Sequence, residues 1–151
     1  MATTVHRRTP ASLWIVGLLA TVWNGFGAYD YLMTRMRNMD YLTAQMPGTD
    51  AGAMLDYIDS FPLWAQIGWG MGVWFGLLGS LLLLGRSRWA VTSFLLSLIG
   101  MVLSFGYQFT HPSDLAATHE GPMAFMPYVI IVVGIALLLF ARWAARKGQL
   151  R

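Results

Sequence analysis

The chain has 151 residues, 56% of them hydrophobic and 11% charged, with a mean hydropathy of +0.53. Those proportions exclude an ordinary soluble domain and point to an integral membrane protein. The absence of cysteine excludes disulfide frameworks, thiolate metal sites and cysteine nucleophiles. The net charge of +3 is gathered in short runs beside apolar segments, a pattern that sets membrane topology and argues against nucleic acid as a partner.

Four apolar stretches, 13–33, 62–84, 89–109 and 123–141, approach or exceed the roughly 20 residues that cross a hydrocarbon core about 30 Å thick. They predict a single all-α membrane domain, a four-helix bundle in the lipid bilayer. Arg7 and Arg8 precede the first stretch, but no small-x-small cleavage site follows and the uncharged run is too long for a signal peptide, so the stretch is expected to remain as a span. Residues 1–11 read as a polar tail, and Ser12 is the expected N-cap of the first helix.

The connection 38–61 carries a Pro47-Gly48 turn signal. Beyond it, Met54, Leu55, Ile58 and Phe61 share one helical face while Asp56 and Asp59 point elsewhere, predicting a short amphipathic helix on the membrane surface, either a lid or a plain connector. Pro62 opens the second span, where a first-turn proline costs no hydrogen bond, and Gly85 ends it. Arg86, Ser87 and Arg88 turn into the third span, which stops near His111-Pro112. The fourth span starts around Pro122, is expected to bend or restart at Pro127, and ends in Arg142, Arg146, Lys147 and Arg151.

Charge sets an orientation. Eight of the ten basic residues flank the two chain ends and the turn between spans two and three, whereas all seven acidic residues fall on or toward the opposite side. The positive-inside rule then places both termini in the cytoplasm, with Arg35 and Arg37 as outnumbered exceptions. Trp14, Trp89 and Trp143 mark the inner interface, and Tyr29, Tyr31, Trp64, Tyr107 and Tyr128 the outer one.

Helices in lipid associate through close contact and hydrogen bonds, so small residues matter. Gly68, Gly72, Gly76 and Ser80 recur every four residues in span two, and Ser93, Ser97, Gly100 and Ser104 form a comparable stripe in span three. Counting about 1.5 Å per residue, Asn24 lies about 16 Å into the first span, level with Gly72, Ser97 and Gly100. This layer is expected to be a helix-packing seam in which Asn24 bonds to a neighbouring helix. Asp30 lies nearer the outer edge. It is either a partly hydrated carboxylate near the arginines of its own helix, or one member of an outward vestibule with Gln66, Tyr107, Gln108, His111 and Tyr128 that takes a polar solute or a proton. His119 and Glu120 lie in the loop above, without the paired ligand spacing of a metal site. No phosphate loop, zinc-protease, nucleophile-elbow or haem-attachment motif is present, so neither an enzyme nor a cofactor is expected.

The motifs W-N-x-x-G-x-x-D-Y-x-M-T at residues 23–34, G-x-x-G-S-L-L-L-L at 76–84, and W-A-V with F-L-L-S-L within 89–98 carry a likeness to known proteins. With them the chain resembles a family of small four-helix bacterial inner-membrane proteins of unknown function, some labelled generically as sugar transporters. The resemblance implies a multi-pass protein of the bacterial inner membrane. Two functional expectations stand side by side. The first is a protein acting through helix association, as a homo-oligomer or an accessory subunit of a larger membrane complex, motivated by the glycine ridge. The second is an oligomeric carrier of a small polar solute such as a sugar, motivated by Asp30 and the outer aromatic layer.

Overall fold

The computed structural model describes residues 10–115 and 122–151, and every described regular element is an α-helix. Four are long and apolar enough to cross a membrane: α1 (Ala11–Arg35), α4 (Leu63–Leu84), α5 (Trp89–Thr110) and α6 (Pro122–Arg146). Two short helices, α2 (Met39–Gln45) and α3 (Ala51–Asp59), fill the connection between α1 and α4.

The long helices overrun the apolar stretches because their polar ends continue the backbone hydrogen bonding past the greasy core. Ser12 is not the N-cap of α1. Pro10 holds that position in an extended conformation without a side-chain cap bond, and its carbonyl accepts from Leu13 N. Pro127 neither breaks nor restarts α6, which runs unbroken from Pro122. The proline sits in the second turn, where its missing donor and its ring disturb only the start of the helix.

Three of these helices end in the same way. After α1, Arg37 N donates to Thr34 O and Asn38 N to Met33 O; after α4, Arg86 N donates to Leu83 O and Ser87 N to Leu82 O; after α6, Gly148 N donates to Ala145 O and Gln149 N to Ala144 O. This double closure needs one left-handed residue. Gly148 supplies it at φ 68, but Arg37 and Arg86 take it at φ 55 and 58, a conformation that costs a non-glycine residue roughly 1–2 kcal/mol. Each arginine gains a partner there: Arg37 pairs with Asp59, and Arg86 Nε donates to Gln149 O.

The sequence pattern predicts one helix after Pro47-Gly48, and the structure adds α2 before it. Asn38 accepts from Tyr41 N and so caps α2, as Asp50 accepts from Gly52 N and caps α3. Leu42, Ala51 and Leu55 pack together between the two helices. Of the predicted apolar face, Leu55, Ile58 and Phe61 are buried and Met54 is partly exposed.

The principal interfaces run α1 on α4, α4 on α5, and α5 on α6; α1 and α6 share no interface of comparable extent. The α4–α5 contact is backbone on backbone. A Cβ on Gly100 would stand 2.5 Å from both Gly68 O and Gly72 N, and one on Gly68 would stand 2.9 Å from Gly100 O. Farther along α4, a Cβ on Gly76 would meet Asn24 Oδ1 at 2.6 Å, and one on Gly79 the Phe94 ring at 2.8 Å. The small-residue side of α4 is thus occupied within the chain, by α5 and by Asn24 of α1.

At the end where α1 begins and α6 finishes, all four helices converge. Leu13, Leu83, Ala90, Phe94, Ala141 and Ala144 form one buried cluster there, joined by Leu150 of the C-terminal tail. That tail is clasped to the α4–α5 turn: Arg88 N donates to Arg151 O and Arg151 N to Arg86 O. At the other end α6 stands away, since its buried residues are Gly134, Leu137, Ala141 and Ala144, and none lies in its described first half. The outward sides are apolar, with Val22 73% and Val102 71% exposed, as a surface solvated by lipid chains should be.

The close approach makes a direct prediction. Gly100→Ala should cost roughly 1–3 kcal/mol through overpacking, read as a lowered Tm in detergent. Gly25→Ala and Gly106→Ala, where an added Cβ meets nothing within 4 Å, should leave Tm unchanged or raise it.

Candidate functional site

Splaying of α6 from α1 leaves a cavity of about 330 Å³ inside the half of the helix assembly away from the α4–α5 turn. Phe94 and Leu137 form its floor, over the buried inner cluster. Trp23 and Phe26 of α1, Val73 of α4, Phe105 of α5, and Met126 and Ile130 of α6 form apolar walls. Asp30 and Gln45, the latter from α2, stand at its rim, at the end away from that cluster. From Met126 to Leu137 the lining follows α6 for eleven residues, about 16 Å at helical rise. The volume lies at the lower end of the ~300–1,000 Å³ typical of ligand pockets.

Polar groups at mid-depth are already bonded. Asn24 Nδ2 donates to Ala20 O and to Ser80 Oγ, both at 3.0 Å, which uses both amide hydrogens, while its Oδ1 lies over Gly76. Ser80 Oγ donates onward to Gly76 O, and Ser97 Oγ donates to Gly72 O across the α4–α5 seam at 2.6 Å. Ser104 Oγ accepts from Gln108 Nε2. Asn24, Gly68, Gly72, Gly76, Ser80, Ser97 and Gly100 are thus spread along the contacts that α4 makes with α1 and α5, and five of them (Asn24, Gly68, Gly72, Gly76 and Ser97) also border the cavity.

The rim differs. Tyr41 OH donates to Asp30 Oδ1 at 2.9 Å, and Gln45 Nε2 donates to Tyr41 OH at 2.7 Å. Tyr41 is Asp30's only side-chain partner among the described residues, and no cation pairs with the carboxylate there: Arg35 bonds Gln66 Oε1, and Arg37 bonds Asp59. Burial, then the bond to Asp30, pushes the Tyr41 phenol up to about 12. Burial also raises the phenol of Tyr57, whose OH donates to His111 O.

The six residues expected to share a vestibule are not gathered in one place. Asp30 alone of them borders the cavity. Gln66 lies in a separate polar recess with Arg35, Arg37 and Asp59. Tyr107 stacks on His111 at 4.4 Å between ring centroids and meets Trp64 and Phe61 edge-on, tying α3 and α4 to α5. Gln108 bonds back to Ser104 on its own helix, and Tyr128 stacks on Phe109. Aromatic residues of an interfacial belt satisfy one another here rather than turning inward. His119 and Glu120 lie outside the described residues, and among the described residues no group of three or more His, Asp and Glu is placed to hold a metal.

Tyr41 and Gln45 are the site residues that sequence reasoning misses. Their signal is faint but physical: Asn38 as an N-cap sets a helical turn on which positions 41 and 45 share a face. Comparisons with protein-family models, with curated proteins and with solved structures return no match to this chain.

Two outcomes follow from these bonds. Asn24→Ala should lower stability by about 1 kcal/mol, the scale of one interhelical hydrogen bond in lipid, seen as a fall in Tm. Because the Tyr41 phenol is raised, the folded chain holds that proton more tightly than the unfolded one; its contribution to stability is complete below about pH 10 and drains away as pH climbs toward about 12. In an absorbance titration at the phenolate band, Tyr41→Phe should remove one late-ionising tyrosine.

Proposed function

We propose that the chain is a non-enzymatic bacterial inner-membrane protein that holds a small solute in its outward-facing cavity, as a binding subunit or carrier. In this reading both termini are cytoplasmic. The basic residues Arg86, Arg88, Arg142, Arg146, Lys147 and Arg151 support that orientation, since they all belong to the end where the helices converge. The amphipathic α2 and α3 then rest at the outer membrane surface, with Gln45 of α2 over the cavity rim.

The observation that carries the proposal is the cavity itself. Between α1 and α6 the bundle keeps a walled space reaching mid-membrane, with a carboxylate at its mouth that no cation pairs among the described residues. The sealed inner cluster and the clasped tail fit an outward-open state. Translocation by one copy would require the contacts around Leu13, Phe94 and Leu150 to part.

Association is the second reading, and it now rests on a different feature. The glycine side of α4 is filled by the chain's own α5 and α1, so it offers nothing to a second molecule. The unclosed flank between α1 and α6 is what a helix of another copy, or of a larger membrane protein, would complete.

Native mass spectrometry of protein released gently from its own membranes tests the two readings. The expected spectrum has one small molecule retained per chain, lost in Val133→Trp and in Ile130→Trp, which fill the cavity from α6. Bare chains found only in a complex with another protein, unaltered by either tryptophan, would overturn the solute reading in favour of association.

A further inference from the structure

The distribution of free hydrogen-bonding capacity around the cavity narrows the chemistry of its occupant. At mid-depth the Asn24 amide hydrogens and the Ser97 hydroxyl proton are used within the chain and Ser104 Oγ accepts from Gln108, which leaves only the neutral Asn24 Oδ1 and the Ser104 hydroxyl proton without a hydrogen bond among these groups. A sugar seated there would find partners for one or two of its hydroxyls and leave the others unpaired against Phe94, Met101, Val133 and Leu137, which is costly in a desolvated site. At the rim the reverse holds. Asp30 receives one hydrogen bond and no cation among the described residues, and Gln45 retains its carbonyl oxygen and one amide hydrogen. Free polarity, with the only unpaired carboxylate of the lining among the described residues, is thus concentrated at one end of a slot about 16 Å long, the reach of an extended chain of about a dozen carbons.

Access has a direction as well. The gap runs between α1 and α6, whose outward residues Phe26, Phe125 and Val132 are exposed apolar side chains facing the lipid. A molecule dissolved in the bilayer can therefore slide in sideways without crossing a polar entrance.

Resting on the solute reading above, we infer that the cavity accepts a single-chain amphiphile with a primary ammonium head, entering laterally from the outer leaflet. The ammonium sits against Asp30 and Gln45, where a compact cation meets the unpaired carboxylate. The alkyl chain lies along Phe105, Ile130 and Val133 down to the Phe94–Leu137 floor. Tyr41 is a positioning residue in this arrangement, since its hydroxyl fixes one oxygen of Asp30 and leaves the other for the head group.

The test uses the full chain in phosphatidylcholine nanodiscs and dodecylamine carrying a diazirine on its chain, with labelled positions mapped by peptide mass spectrometry. Saturable labelling at Phe105, Ile130 or Val133 is expected. Unlabelled dodecylamine should compete about tenfold better than dodecanol or dodecanoate, the factor a single charge-assisted hydrogen bond supplies. Ethanolamine and glucose should not compete. Asp30→Asn should erase the preference for the amine while dodecanol still competes, which also shows that the variant is folded. Labelling that never saturates and scatters over the lipid-facing Val22 and Val102 would overturn the proposal, as would equal competition by dodecanoate. Competition by glucose but by no amphiphile would overturn this inference and leave the cavity as a solute site, whereas non-saturable labelling together with bare chains in the native spectrum would remove both.

Discussion

At Gly68 and Gly100 the backbones of α4 and α5 come so close that a single methyl group on Gly100 would lie 2.5 Å from a carbonyl oxygen and an amide nitrogen of the other helix. Lipid gives helices no hydrophobic reason to associate, so dispersion between closely apposed backbones and the few hydrogen bonds across them must do so. Ser97 Oγ to Gly72 O is such a bond, buried in the seam and short. Fixing α4 on α5 sets the rest. The side of α4 next to that seam receives α1 through Asn24 and Ser80, while the principal interface of α6 is with α5.

The geometry of α6 follows from where small residues run out. Its buried positions Gly134, Leu137, Ala141 and Ala144 belong to the inner half, two alanines and a glycine among them, and they meet the cluster that α1, α4 and α5 build there. Toward its N-terminal end the described part of the helix presents Phe125, Met126, Tyr128 and Val129, all exposed, and no comparable interface with α1 forms there. The cavity lies where the closed half of the assembly gives way to the splayed half. The inner half gains further closure from the C-terminal tail, where Arg86 and Arg88 exchange backbone hydrogen bonds with Arg151 and place Leu150 in the core.

Polarity is arranged on the same axis. Groups that would be expensive unpaired in hydrocarbon, the Asn24 amide and the serine hydroxyls, are matched to carbonyls or to each other within the seam. Asp30 lies high enough to draw on α2, and Tyr41 with Gln45 forms a short chain of donors above it. The Arg37–Asp59 pair and the Tyr107 aromatic group hold α3 against the outer ends of α1 and α5, so the segment carrying Tyr41 and Gln45 is tied down at both sides.

Much of the architecture was legible in the residues because bilayer thickness and helical rise turn hydrophobic length directly into spans. Four apolar runs gave four long helices. The vestibule was not legible. Sequence puts Gln66, Tyr107, Gln108, His111 and Tyr128 at the same height as Asp30, but height is one coordinate, and rotation about each helix axis decides whether a side chain meets the cavity, a neighbour or lipid. Only the packed structure fixes those rotations, through the glycine contacts of α4 and the alanine contacts of α6. It likewise decides that α1 and α6 stand apart, since a missing interface depends on which neighbours have already claimed the small residues. The sequence by itself determined how many times the chain is long and apolar enough to cross the membrane and how deep its polar groups lie; tertiary packing alone decided which of those groups share a space.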